Sequence, residues 1–460
     1  MKSVHVPAMT YQRGIARNRG QFLLQTVQVF FVGLVIGMER TVLPSLAHDF
    51  GVIKGAFLFL ASFVISFGLV KGALNLVAGS LSDRIGRKRV LLFGWIAGIP
   101  VPLLIFFAPN WWWIIAANVF LGINQAFTWT MTVTSQIDLA GSRQRGLAVG
   151  INEAAGYVGM GLAGLATGYL AVLCGPRRAL LFFGLGAILV ALVLLVRVRD
   201  TIAWVHAEHA AHPVSVPLAT ASWRRSFIDV SFRNPRYRAF CQAGVANKVA
   251  DTLVWVLFPI YFLQHAMGVV AIGWITGVYG AVWGGSQLWT GHLADRIGRK
   301  IPIVSGFFLL SVGLATTALV QGFALWVLAA LIMGLGMALL YPNLVAAMSD
   351  TAPPLERGRI LGIYRYWRDT GYAIGGLLLG LVAQWSNEIL TAIWATVGIV
   401  ALSGLWIALV VQETHPRSLD QFGLVQSIDG FCQGVVVAVS LAPHRGFNAS
   451  LGKPFCISGC

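Results

Sequence analysis

Apolar residues in this chain gather into runs of roughly 18 to 25, the length that crosses a ~30 Å hydrocarbon core. The runs lie at about 21–46, 56–78, 90–107, 112–134, 147–173 and 179–196, and again at about 240–263, 271–289, 303–319, 324–348, 360–383 and 390–411. Each predicts a spanning helix, because a segment in lipid has no water to satisfy its backbone and must bond internally. The polar interruptions are short except for 197–238, rich in His, Pro, Ser and Arg, which reads as a linker between two groups of six. The expected organisation is a segment 1–20, a first bundle 21–196, the linker 197–238, a second bundle 239–411 and a tail 412–460. Within the tail, 431–442 is apolar but too short to span, and the final Cys-Ile-Ser-Gly-Cys lacks the cysteine placement of a prenylation signal.

Composition agrees with the pattern: 57% of residues are hydrophobic and 11% charged, against about 25% charged in soluble domains. The formal net charge of +16 does not point to nucleic acid, since the cations are spread over short loops between apolar runs. Lys and Arg mark the cytoplasmic side of short loops. They fall before the first run (Lys2, Arg13, Arg17, Arg19), after the second (Arg84, Arg87, Lys88, Arg89) and after the fourth (Arg143, Arg145). They return in the linker (Arg224, Arg225, Arg233, Arg236), after the eighth run (Arg296, Arg299, Lys300) and after the tenth (Arg357, Arg359), whereas the alternate loops hold Lys54, Arg177 and Arg178. Both termini are therefore expected in the cytoplasm, with no removable signal peptide. The five cysteines, Cys174, Cys241, Cys432, Cys456 and Cys460, show neither metal-ligand spacing nor an even disulfide count.

An internal repeat fixes the architecture further. The loop Gly79-Ser-Leu-Ser-Asp83-Arg84-Ile-Gly86-Arg87-Lys88 returns about 212 residues later as Gly291-His-Leu-Ala-Asp295-Arg296-Ile-Gly298-Arg299-Lys300. Near that offset Glu39 maps to Asp251, Trp129 to Tyr341 and Asp138 to Asp350; slightly larger shifts align Glu153 with Arg368, Tyr157 with Tyr372 and Arg199-Asp-Thr201 with Gln412-Glu-Thr414. This doubled loop, at these places in a twelve-span pattern, resembles the signature of the major facilitator superfamily over about residues 20–414, and is similar to its drug or solute:proton antiporter members. The resemblance implies an all-α membrane protein of twelve transmembrane helices in two pseudo-symmetric six-helix bundles, with a solute site between them and alternating access by rocking. It also implies that Asp83, Arg84, Arg87 and Lys88, with Asp295, Arg296 and Arg299, latch one state of the cycle. Read without the family, these cations anchor orientation, and a carboxylate among them can dock on a neighbouring helix N-terminus.

Ionisable residues inside spanning helices cost several kcal/mol or more and so need partners or a wet cavity. Glu39, Arg40, Lys71, Glu153, Lys248, Asp251, Arg365, Arg368 and Asp369 are such residues. Lys248 with Asp251, and Arg365 with Asp369, share helix faces and can neutralise each other; adjacent Glu39 and Arg40 point about 100° apart. Because the resemblance places the first and seventh helices along the cavity, Glu39, Arg40, Lys248 and Asp251 are the expected proton or solute sites, with Glu153 and Arg368 either facing the same cavity or structural. It also packs the second helix on the eleventh, so Lys71 and Asp369 are expected to form a gating contact. Two departures from the family bear on proton exchange: Asn118 stands four residues before Gly122 where Arg is common, and Gly156, Gly159, Gly161 and Gly164 come without the usual Pro. Trp129, Tyr341, Tyr364, Tyr366 and Trp367 either line a cavity or pack in the core.

The expectation is a secondary transporter for a small organic or anionic solute, coupled to protons, with a preference for export. It is expected to be monomeric in the plasma or inner membrane, without cofactor, metal or nucleic-acid partner. No nucleotide-binding loop or catalytic constellation is found. The rivals are a proton-coupled importer and a non-transporting receptor with the same fold.

Overall fold

Each long apolar run folds as a helix because lipid leaves the backbone no other partner, and turn residues set the ends. The computed structural model describes residues 12–140, 144–204, 223–352 and 357–414, with the side chains at 80, 83, 145, 146, 295, 357 and 358 outside that description. The described residues fall in one compact unit, Met1–His415; the tail expected at 412–460 lies outside them beyond Thr414.

Twelve long helices follow in order among the described residues. The first six are α1 (Arg19–Gly37, continued by Glu39–Val42), α2 (Phe57–Ile85), α3 (Arg87–Gly98, continued by Pro100–Phe107), α4 (Trp111–Ala140), α5 (Arg145–Cys174) and α6 (Pro176–Leu195). The second six are α7 (Pro235–Thr252, Leu253–Leu257 and Phe258–Gln264), α8 (Val269–Ile297), α9 (Lys300–Leu319), α10 (Phe323–Thr351), α11 (Arg357–Ser386) and α12 (Ile389–Val410). Ten of them are long and apolar enough to cross a membrane by composition. The molecule is a multi-pass membrane protein of two six-helix bundles. Its outer surface carries Leu173, Val193 and Leu409, all at least 70% exposed, a surface stable against acyl chains and costly against water.

Helices run past the expected ends where the signature loops begin. Gly86 and Gly298 terminate α2 and α8 with φ of 96° and 93°, a backbone region that glycine enters without a Cβ penalty. The next helix therefore starts at once. In the linker, Trp223–Ile228 and Asp229–Arg233 are also helical, and Asn234 caps α7 by accepting from the backbone N–H of Arg236 and Tyr237. This segment packs on α11: Trp367 Nε1 donates to Ser231 Oγ at 2.8 Å, and Phe227 lies against Tyr366 and Trp367.

The first and seventh helices are not continuous. The α-helix of α1 breaks at Met38 and passes into a 3-10 segment, Pro44–Phe50, while α7 contains a π turn at Leu253–Leu257. Pro44 and Pro259 account for the 3-10 and π segments, because proline lacks an N–H and collides with the carbonyl four residues back, here those of Arg40 and Trp255. The breaks fall beside Glu39, Arg40 and Asp251, and π turns inside helices frequently mark functional sites.

Two seams join the bundles, α2 with α11 and α5 with α8. Small residues let the backbones approach: a Cβ built on Gly284 would lie 2.5 Å from Val158 N and 2.8 Å from Ala154 O, whereas one on Gly285 would meet nothing within 4 Å. Gly284→Val is therefore expected to lower thermal stability by about 1–3 kcal/mol, the usual penalty of overpacking, with Gly285→Val near wild type. Equal melting temperatures for the two variants in detergent would contradict a tight α5–α8 seam.

Candidate functional site

At the centre, between the bundles, Arg40 of α1 reaches Asp251 of α7. Its Nη1 donates to Oδ1 at 2.6 Å and its Nη2 to Oδ2 at 3.0 Å, the two-pronged geometry that suits guanidinium and carboxylate. Both residues are buried, at 4% and 0% exposure. Asp251 also accepts from Tyr372 of α11, from Tyr279 at 3.3 Å and from Lys248 at 3.4 Å. Lys248 Nζ in turn bonds Tyr372 Oη at 3.1 Å and Tyr157 Oη at 3.3 Å. Tyr157 and Tyr372 are repeat-related, so the same tyrosine from each half brackets one lysine. Trp283 stacks on Tyr157 at 3.7 Å between centroids and lies 4.8 Å from Lys248 Nζ, adding a cation–π contact.

A second cluster centres on Asp369. Arg368 holds it at 2.7 and 2.9 Å, Asn75 of α2 donates to its Oδ2, and Lys71 Nζ lies 4.0 Å away. Arg368 also donates to Tyr341 Oη at 2.8 Å. In the first half, Trp129 Nε1 donates to Glu153 Oε1 at 3.0 Å. Trp129 corresponds to Tyr341 and Glu153 to Arg368, so the repeat preserves the contact while reversing its charge.

Several placements differ from the sequence reading. Glu39 does not share the inter-bundle centre with Asp251: its Oε2 accepts from Asn118 of α4 at 3.0 Å, within the first bundle, and its buried Oε1 has no hydrogen-bond partner among the described residues. The cause is the 100° step along a helix, which sends Arg40 across the interface and Glu39 back into its own half. Asn118 thus occupies the position where the family often carries Arg, and it serves Glu39. Asp369 pairs with adjacent Arg368, not with Arg365, which is half-buried. Tyr366 and Trp367 pack against the linker helix instead of a cavity, and Tyr364 is a buried core residue.

The signature loops are organised by two carboxylates that lie outside the loop motifs themselves. Asp200, after α6, accepts from the backbone N–H of Arg87 and Lys88 at 3.2 and 3.3 Å; Glu413, after α12, accepts from Arg299 and Lys300 at 2.8 and 3.0 Å. Each sits on the N-terminus of the helix that follows a signature loop, Asp200 on α3 and Glu413 on α9, where free N–H groups and the helix dipole favour an anion. Arg87 and Arg299 complete matching pairs with Asp138 at 3.5 Å and Asp350 at 3.3 Å. Lys88 Nζ donates to Val196 O, and Arg84 and Arg296 are exposed. The side chains of Asp83 and Asp295 lie outside the described residues. The signal for the caps was present in the repeat, as Asp200-Thr201 against Glu413-Thr414.

A family model described as Major Facilitator Superfamily matches residues 26–246 and 240–428. The chain belongs to the major facilitator superfamily. Members of this family are transporters rather than enzymes, and this member is similar to three named proteins among many. It is 30% identical over 159 residues to the Multidrug resistance protein MdtH of Photorhabdus laumondii, a match spanning 34% of this chain and 39% of that relative. It is 21% identical over 320 residues to an uncharacterized MFS-type transporter of Methanocaldococcus jannaschii, covering 69% of this chain and 80% of the relative. With Sialin of Ovis aries it shares 33% over 149 residues, 31% of this chain and 30% of that protein. Among solved structures, a crystal structure of a D-xylose-proton symporter superposes with a TM-score of 0.67 at 16% identity, covering 85% of this major facilitator chain and 98% of the other; this likeness shows the fold.

The paired caps carry a prediction. Asp200→Asn and Glu413→Gln are each expected to cost about 1 kcal/mol of stability, the scale of a helix cap and dipole contact, read as a lowered melting temperature of the purified protein. Unchanged melting temperatures in both would show that these carboxylates do not cap the helices.

Proposed function

We propose that this protein is a secondary active carrier that moves a small organic solute by alternating access, coupled to protons and directed outward. The observation that carries the reading is the Arg40–Asp251 pair, which ties α1 of one bundle to α7 of the other in the buried centre. Rocking one bundle against the other must break or rearrange such a tie. The proposed solute site is formed by Arg40, Lys248 and Asp251 with Tyr157, Trp283 and Tyr372. Lys71 and Asp369 of the α2–α11 seam serve as the gate. The signature-loop pairs of Arg87 and Arg299, with Asp83, Asp295, Arg84, Lys88 and Arg296, serve as the latch.

The signature-loop end is assigned to the cytoplasm from the distribution of Lys and Arg, with the protein a monomer in the plasma or inner membrane. Similarity to a multidrug resistance protein supports outward movement, and similarity to a D-xylose-proton symporter supports proton coupling. Glu39 is the proposed proton site. The oxygens of Asp251 are committed to cations and phenols, whereas Glu39 meets an amide and keeps one buried oxygen without a partner among the described residues. It can therefore gain or lose a proton without opening an ion pair. Glu153 and Arg368, each bonded to a repeat-related aromatic, are proposed to hold the two halves of the solute site in register.

Purified protein in vesicles is expected to accumulate solute when a pH gradient is imposed. Glu39→Gln is expected to keep solute exchange at equilibrium while losing gradient-driven accumulation by tenfold or more. Binding without net movement in the wild type would favour a receptor, and full accumulation by Glu39→Gln would move the proton site elsewhere.

A further inference from the structure

Lys71 is buried to 7% exposure, yet among the described residues its ammonium makes no hydrogen bond. Its nitrogen rests over Phe67, Trp129 and Tyr372, 5.4, 5.5 and 5.9 Å from the ring centroids. The nearest carboxylate, Asp369, is already taken by Arg368 and Asn75, and Lys71 stands 4.0 Å off. A lysine head has three donors and no acceptor, and a buried charge is costly unless paired and hydrogen-bonded. Lys248 rests on the same Tyr372 ring, 4.9 Å from its centroid, and its three contacts of 3.1, 3.3 and 3.4 Å are long for a charged donor.

The local charge has the same sign. Asp251 is shared by Arg40 and Lys248, and Asp369 by Arg368 and Lys71. Each carboxylate serves two cations, which leaves one positive charge over in each cluster. Two further buried carboxyl groups, Glu39 and Glu153, are bonded among the described residues to the neutral partners Asn118 and Trp129, while buried Asp138 is paired with Arg87 at the signature loop. The wall between the clusters is aromatic: Trp129, Tyr157, Trp283 and Tyr341 pack on one another, and the Tyr372 ring lies beneath both Lys71 and Lys248.

We infer that the solute is a small organic anion, with its carboxylate on Lys71 and turned toward Lys248, and its apolar body against these rings. Such a ligand supplies the acceptors that Lys71 lacks and competes with Asp369 for it, so that occupancy loosens the α2–α11 contact. An organic cation at this place would face four buried cations. The inference rests on the carrier reading for the purpose of the site, but anion binding and flux are measured separately.

The test is ligand-induced thermal stabilisation and titration calorimetry on the purified full chain in lipid nanodiscs. The probes are benzoate, 2-naphthoate and octanoate, with uncharged 2-naphthamide and cationic tetraphenylphosphonium. At least one carboxylate is expected to bind, with the amide and the phosphonium at least tenfold weaker. Lys71→Gln is expected to weaken that carboxylate at least tenfold, Lys71→Arg to keep most of its affinity, and Lys54→Gln at the far loop to leave it unchanged. Because Asp369 keeps Arg368 and Asn75, the Lys71→Gln protein should still melt cooperatively. Binding by none of the carboxylates, preference for the phosphonium or amide, or indifference to Lys71→Gln would each overturn the inference. Exchange of phosphonium in vesicles without carboxylate binding would sink the anion and spare the carrier. Carboxylate binding with no exchange would uphold the anion site and sink the carrier.

Discussion

The structure depends on how charge is held where water is scarce. Arg40 and Asp251 are both buried and bonded two-to-two across the bundle interface. Desolvating an ion pair is expensive, and the attraction recovers that cost only when geometry is good and the remaining lone pairs are satisfied. Here Tyr279, Tyr372 and Lys248 fill the rest of the Asp251 shell. Similar logic builds the Asp369 cluster from Arg368, Asn75 and Lys71. These two carboxylates, one on α7 and one on α11, link cations from α1, α2, α7 and α11 into a single polar centre inside an apolar shell.

The breaks in α1 and α7 make that centre possible. A regular helix satisfies its own backbone and presents side chains on a fixed schedule. Pro44 and Pro259 interrupt the schedule one turn beyond Arg40 and two turns beyond Asp251. Irregular backbone in membrane proteins is tolerated where it is buried in protein or lines a cavity, and helices that break at the midplane recur around transporter sites. Glycine seams then bring the paired helices close enough for short polar side chains to meet across them.

Much of this was legible in the sequence, because two periodicities carried it. Run length gave the helices, and the 212-residue repeat gave the two halves and the matched positions. The buried charges announced themselves by being in apolar runs. What the sequence could not give was direction. Glu39 and Arg40 are neighbours, and only the local helix phase decides that one crosses the interface and the other turns to Asn118. Asp369 had two arginines in reach along its helix, and the adjacent one won because its guanidinium can be anchored on Tyr341 as well. The caps formed by Asp200 and Glu413 were hidden for another reason: each lies more than a hundred residues from the helix it caps, so no local pattern exposes it.

Arg40 and Asp251 act as one unit in this structure. A double-mutant cycle on thermal stability, with Arg40→Met, Asp251→Asn and the combination, measures this directly. Each single variant is expected to lose about 3 kcal/mol or more by stranding a buried charge, and the double variant to recover at least ~1.5 kcal/mol of the summed loss. Losses that simply add would contradict such coupling.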